Sequence, residues 1–114
     1  MLPDVYYSEL DKLTELHEAS IGRLACSGVF VRDAFEEYRS AVGEFVETSL
    51  KYSVVSKRAL QLLNSAISYC QCNAEFHPER EYVDNFGRFV AKAFYCIVGE
   101  EGLEDRQPGV PRII

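Results

Sequence analysis

No stretch of the sequence approaches the ~20 consecutive apolar residues that a helix needs to cross a bilayer, which excludes a membrane-spanning helix. Basic residues are in deficit. The 114 residues include 12 Lys+Arg against 18 Asp+Glu, a formal net charge of −6. A protein that tracks phosphates needs a basic face to displace counterions, so direct nucleic-acid binding is not expected, and attraction to an anionic membrane surface fails for the same reason. Proline stands only at positions 3, 78, 108 and 111, which leaves residues 4–77 without a proline break. The glycines never gather into a G-x-G-x-x-G or phosphate-loop pattern. Tryptophan is absent, and the opening Met1-Leu2-Pro3-Asp4 lacks the basic and apolar regions of a signal peptide. The expectation is a cytoplasmic protein.

What is there reads as one folded domain. Hydrophobic residues make up 47% and charged residues 26%, the balance of a globular chain with a genuine core. The Pro-free stretch carries helical periodicity. Leu10, Leu13, His17, Leu24 and Val31 recur at spacings of three, four or seven, which predicts a first helix over about Asp4 to Cys26. Pro3 suits its first turn, and Asp4, Glu9 and Asp11 complement the helix dipole. Ser27-Gly28 is the first credible break, with Ser27 available to cap the next helix.

From Val29 to Asn73 the helical pattern barely pauses: Val31, Phe35, Tyr38, Val42 and Phe45 are followed by Ala59, Leu62, Leu63, Ala66, Ile67 and Tyr69. One unbroken helix there would extend roughly 67 Å, whereas a globule of this size measures only about 35 Å across. Either the helix turns near residues 49–56, where Tyr52-Ser53-Val54-Val55-Ser56 is rich in weak helix formers, or the molecule is elongated and paired with a second copy. Asn73 to Pro78 forms a secure break, with Asn73 suited to a left-handed helix end and Pro78 to the opening of the next helix. The last helix, about Glu79 to Val98, has a broad apolar stripe of Tyr82, Phe86, Phe89, Val90, Ala93, Phe94 and Ile97. The fold class expected is therefore all-α: a bundle of three long helices, or four if the central one turns. The domain spans residues 1–99, and 100–114 is an extended tail that ends in the apolar Val110, Ile113 and Ile114.

Few residues advertise chemistry. Cys26, Cys70, Cys72 and Cys96 include one C-x-C but no C-x-x-C pair, and residues two apart on a helix point roughly 200° away from each other. Reduced, metal-free thiols are expected, with Cys26 and Cys96 in apolar surroundings. His17 stands on the first helix's apolar stripe, but neither a Glu-x-x-His pair nor a His-Glu-x-x-His motif surrounds it. Ser27 lies in Cys-Ser-Gly rather than a nucleophile elbow. No catalytic residue, metal site or cofactor is expected, and the chain is not read as an enzyme.

The surplus is in apolar surface. Seven Tyr and seven Phe, with Phe30, Phe45, Val46, Leu50, Val54 and Val55 crowding the central stretch, ask for more partners than three helices offer. Together with the tail residues Val110, Ile113 and Ile114, these are the candidate interface residues. The function expected is a non-enzymatic protein–protein interaction module of the adaptor, chaperone or inhibitor type. Its expected partners are a protein with a basic surface and, in a homodimer, a second copy of the chain. The alternatives are a helical bundle holding a small ligand or an active site, and an acidic mimic of nucleic acid that inhibits a basic protein.

Overall fold

Pro3 sets the start of the first helix. Its backbone is extended (φ −69°, ψ 159°), its carbonyl accepts the Tyr6 amide, and α1 (Asp4–His17) begins on the next residue. The structure is a computed structural model that describes residues 3–53 and 55–99. Val54 and the tail expected at 100–114, with Val110, Ile113 and Ile114, lie outside those residues.

The first helix does not stop at His17. It widens into a π-helical turn, Glu18–Gly22, and resumes as α2 (Arg23–Ser27). Ser20, buried in the wide turn, returns its hydroxyl to the Leu16 carbonyl at 2.6 Å, the local bond a buried hydroxyl needs. Gly28 ends the rod in the left-handed region (φ 72°), its amide donating to the Leu24 carbonyl at 2.9 Å. Ser27 does not cap the next helix, because its hydroxyl is bonded to the Arg23 carbonyl at 2.7 Å. Instead α3 (Arg32–Tyr52) starts from Val31, whose side chain has no acceptor to offer.

The central stretch turns. After Tyr52 the chain passes through Ser53 in the left-handed region (φ 53°), and Ser56 caps α4 (Lys57–Asn73) by accepting the Ala59 amide at 3.1 Å. The break falls inside the weakly helical window, and the all-α bundle takes its four-helix form. Asn73 is not left-handed (φ −121°, ψ −12°). A 3₁₀ turn, Ala74–Phe76, comes directly after it. Pro78 precedes the last helix, α5 (Arg80–Gly99), rather than opening it, and the Glu79 carbonyl takes the Val83 amide.

The helices form two antiparallel hairpins, α1–α2 with α3 and α4 with α5, and the hairpins stack through α3 on α5 and α1 on α4. Extents of 39 × 36 × 20 Å fit two helix layers. Register is set by specific pairs: Tyr6 on Phe45, His17 on Tyr38, Phe35 on Phe86, and Cys70 on Gly87. Between the layers lie Leu13, Phe35, Tyr38, Phe45, Leu63 and Phe86, all fully buried. One end of the bundle gathers the connections at 28–31 and 74–79, where Phe30 meets His77 at 5.2 Å. The other gathers the start of α1, the 53–56 connection and the last turn of α5.

Gly87 lets α5 approach α4 closely. A Cβ there would stand 2.6 Å from the Cys70 Cβ, a separation that forces the helices apart. Gly87→Ala therefore lowers stability by about 1–3 kcal/mol in denaturant titration, despite alanine's better helix propensity. Cys70→Ala does not rescue it, since the obstructing carbon remains, whereas Cys70→Gly does in part. At the α3–α4 reversal the sign is opposite: Ser53→Gly relieves a left-handed non-glycine and raises stability by about 0.5–1 kcal/mol in the same measurement.

Candidate functional site

The candidate interface residues separate once the fold is known. Phe45 and Val46 are 1% and 0% exposed, built into the core against α1 and α5 by the reversal at 53–56, so they offer no surface to a partner. Leu50 and Phe30 are half-buried and pack on that core. Val55 is exposed, while Val54, Val110, Ile113 and Ile114 lie outside the described residues. The apolar surplus of the central stretch is thus largely internal.

Apolar exposure concentrates at the two ends of the bundle. Val29 and Phe76 stand in the paired connections at one end, and Val5, Tyr7, Val55 and Val98 at the other, with Tyr95 exposed one turn before Val98 on α5. Phe76 is the extreme case at 78% exposed. It lies in the 3₁₀ turn between α4 and α5, where buried Ala74 holds the turn against the core and Phe76 is carried outward. From spacing alone Phe76 is no more than part of a break. The signal that could have found it is a large aromatic in a segment with no helix face to join.

The end that carries Phe76 is braced by rings. The His77 ring meets Phe30 edge-on at 5.2 Å, and its Nδ1 accepts the Glu79 amide at 2.9 Å. Phe30 packs tilted against Phe35 at 5.0 Å and edge-on against Tyr82 at 5.6 Å, and Phe35 in turn meets Phe86, which links the exposed end to the core. The Arg32 guanidinium lies 4.5 Å over the Tyr82 ring and pairs with Glu79 at 3.0 Å. The Tyr82 hydroxyl donates to Glu36 at 2.7 Å, and burial together with that bond pushes its pKa well above the ordinary phenol value. Such exposed ion pairs add little stability, but together they fix the orientation of the rings. Beside the Phe76 turn runs a groove of about 460 Å³ lined by Gln71, Ala74, Glu75, Arg80, Glu81 and Asp84, in which carboxylates outnumber cations. The surface is therefore an aromatic tip next to an acidic trough.

Of the four thiols, two are buried and two exposed. Burial pushes the Cys70 thiol up to about 12, so it stays protonated at neutral pH. Cys72, two residues on, is exposed, as the helical rotation between them requires. Cys96 is buried as expected, but Cys26 is exposed, because the last turn of α2 runs past the core before Gly28. Among the described residues, no group of three or more His, Cys, Asp or Glu side chains could hold a metal ion, and no helix is long and apolar enough to cross a membrane. No protein-family model, curated protein or solved structure matches this chain.

A second polar arrangement lies inside the bundle. His17 Nδ1 and the Tyr38 hydroxyl share a buried hydrogen bond of 2.9 Å between α1 and α3. Burial lowers the His17 pKa from its ordinary 6.5, with Glu18 pulling weakly the other way, and raises that of Tyr38. This fixes the sign of the pH dependence. The unfolded chain binds a proton at His17 more readily than the folded one, so stability is full above pH 6.5 and declines as pH falls below it. Chemical denaturation of the wild type and of His17→Gln between pH 7.5 and 5 checks this: the wild type loses stability more steeply than the variant, which has no buried imidazole at position 17 to charge.

Proposed function

We propose that this protein is a non-enzymatic interaction module whose partner seats on the Phe76 end of the bundle. The observation that carries the reading is a phenylalanine 78% exposed on a ring-braced turn, beside a groove rich in carboxylates. Such a side chain contributes little to the chain's own folding. Buried in a pocket of another protein, it would stabilise the complex by about 1.5–3 kcal/mol, the range for an aromatic anchor. Val29 widens the apolar tip, and Glu75, Glu81 and Asp84 lie next to it. The partner's surface is accordingly an apolar pocket with a basic rim. Charge steers the encounter and the aromatic anchor sets the residence time.

This differs from an interface spread along helix flanks. The flanks carry most of their apolar residues inward, and the exposed remainder gathers toward the ends: Val29, Val55 and Phe76 in connections, Val5 and Tyr7 on the first turn of α1, and Tyr95 and Val98 on the last turns of α5. An adaptor or inhibitor using such a tip works by occupancy: its helices act as a rigid mount, and the chemistry belongs to whatever the tip covers.

Phe76→Ser and Val29→Ser should leave the melting curve nearly unchanged, since neither side chain is part of the core. Capture of the native partner from the source cell, read by quantitative mass spectrometry, falls at least tenfold with Phe76→Ser and weakens with added salt. Equal recovery by wild type and variant overturns the reading. Light scattering separates a second copy from a different protein: if the partner is this chain itself, the wild type exceeds 13.0 kDa and Phe76→Ser returns to it.

A further inference from the structure

At the end opposite Phe76, three side-chain oxygens are buried without a hydrogen-bond partner among the described residues: the Tyr6 hydroxyl, Glu9 Oε2 and the Ser49 hydroxyl. Tyr6 and Ser49 are each 2% exposed. Buried hydroxyls and carboxylates are almost always bonded to protein or water, so these three oxygens are open to a donor from outside the helices. Their position is defined by the packing. Tyr6 and Glu9 stand one turn apart on α1, and the Tyr6 ring lies 5.4 Å from Phe45, one turn before Ser49 on α3. Because α3 runs parallel to α5, with Phe35 on Phe86 and Arg39 over Phe89, Ser49 falls level with the last turn of α5.

The same end carries half-exposed apolar side chains from three elements: Val5 and Tyr7 on α1, Val55 ahead of α4, and Val98 on α5. Leftover acceptors and uncovered apolar groups therefore occur together. Residues 100–114 begin here, directly after Gly99. They hold Arg112 between the apolar Val110 and Ile113-Ile114. The distance is no obstacle: from Gly99 to Val110 an extended chain spans up to about 36 Å, against a longest extent of 39 Å.

We propose that the segment Val110–Ile114 seats on this end of its own molecule, with the Arg112 guanidinium directed to the Glu9 carboxylate and Val110, Ile113 and Ile114 covering Val5, Tyr7, Val55 and Val98. Arginine fits the role because its guanidinium presents several donors in one plane, which suits a carboxylate at the same end of the bundle as two unpartnered hydroxyls. The acidic stretch Glu100, Glu101, Glu104 and Asp105 then bridges from α5 in water, where its charges remain solvated. This inference does not rest on the reading of the Phe76 end, and its test leaves that end untouched.

The experiment compares backbone amide and methyl NMR spectra of the full chain with those of a chain ending at residue 107. If the segment is seated, shifts change at Val5, Tyr6, Tyr7, Ser49, Val55 and Val98, and the thermal midpoint of the shortened chain drops by about 5 °C or more. Arg112→Ala reproduces the changes near Glu9 and Tyr6, and Glu9→Gln does the same in the full chain but has little effect in the shortened one. A synthetic Val110–Ile114 peptide added to the shortened chain restores the original shifts. Spectra that coincide everywhere beyond the last turn of α5 overturn the proposal. So do shift differences that grow with protein concentration, which would assign the segment to a second copy.

Discussion

Without a reversal between Tyr52 and Lys57, α3 and α4 would continue as one rod, and Phe45, Val46 and Leu63 would each face water on one side. The reversal carries the α4–α5 hairpin back over the α1–α3 hairpin, and the space between the two becomes the core. Its chemistry is modest: a left-handed serine at 53, and a second serine at 56 whose hydroxyl takes the place of a missing backbone acceptor. Neither would force a helix to end by itself. The burial gained by folding back decides it, because the apolar area removed from water far outweighs a few lost helical bonds.

The closed core has consequences for its polar groups. His17 and Tyr38 satisfy each other, and the imidazole in that pair resists charging. Cys70 packs on Gly87 as a small apolar group, its thiol held protonated by the same burial. Tyr6, Glu9 and Ser49 show the complementary situation, where packing has brought polar atoms inside without a hydrogen-bond partner among the described residues. Buried groups that are paired give rigidity.

With the helix flanks taken up by the core, apolar exposure moves to the ends. There the helices stop supplying neighbours, and a side chain in a connection has no stripe to join. Phe76 and Val29 at one end differ in this respect from Val5, Tyr7, Val55 and Val98 at the other. The first two share their end with the Phe30–His77 ring contact and an acidic groove, while the others share theirs with three buried oxygens that lack a hydrogen-bond partner among the described residues.

Much of the architecture was legible in residue spacing. The stripe from Leu10 to Leu24, the break at Gly28, the weak window at 49–56 and the broad face of the last helix all stem from local periodicity and backbone preference, which depend only on near neighbours. The π-helical turn at Glu18–Gly22 was not legible, because it differs from an α-turn by one residue that sequence does not mark. Nor was the exposure of Cys26 or Phe76, since apolar character states what a side chain prefers and not whether a neighbour is there to meet it. Composition and spacing suffice to make this chain helical, acidic and rich in aromatic surface. Packing settles which part of that surface enters the core, because burial belongs to pairs of residues such as Tyr6 with Phe45 or Cys70 with Gly87, and those pairs are far apart along the chain.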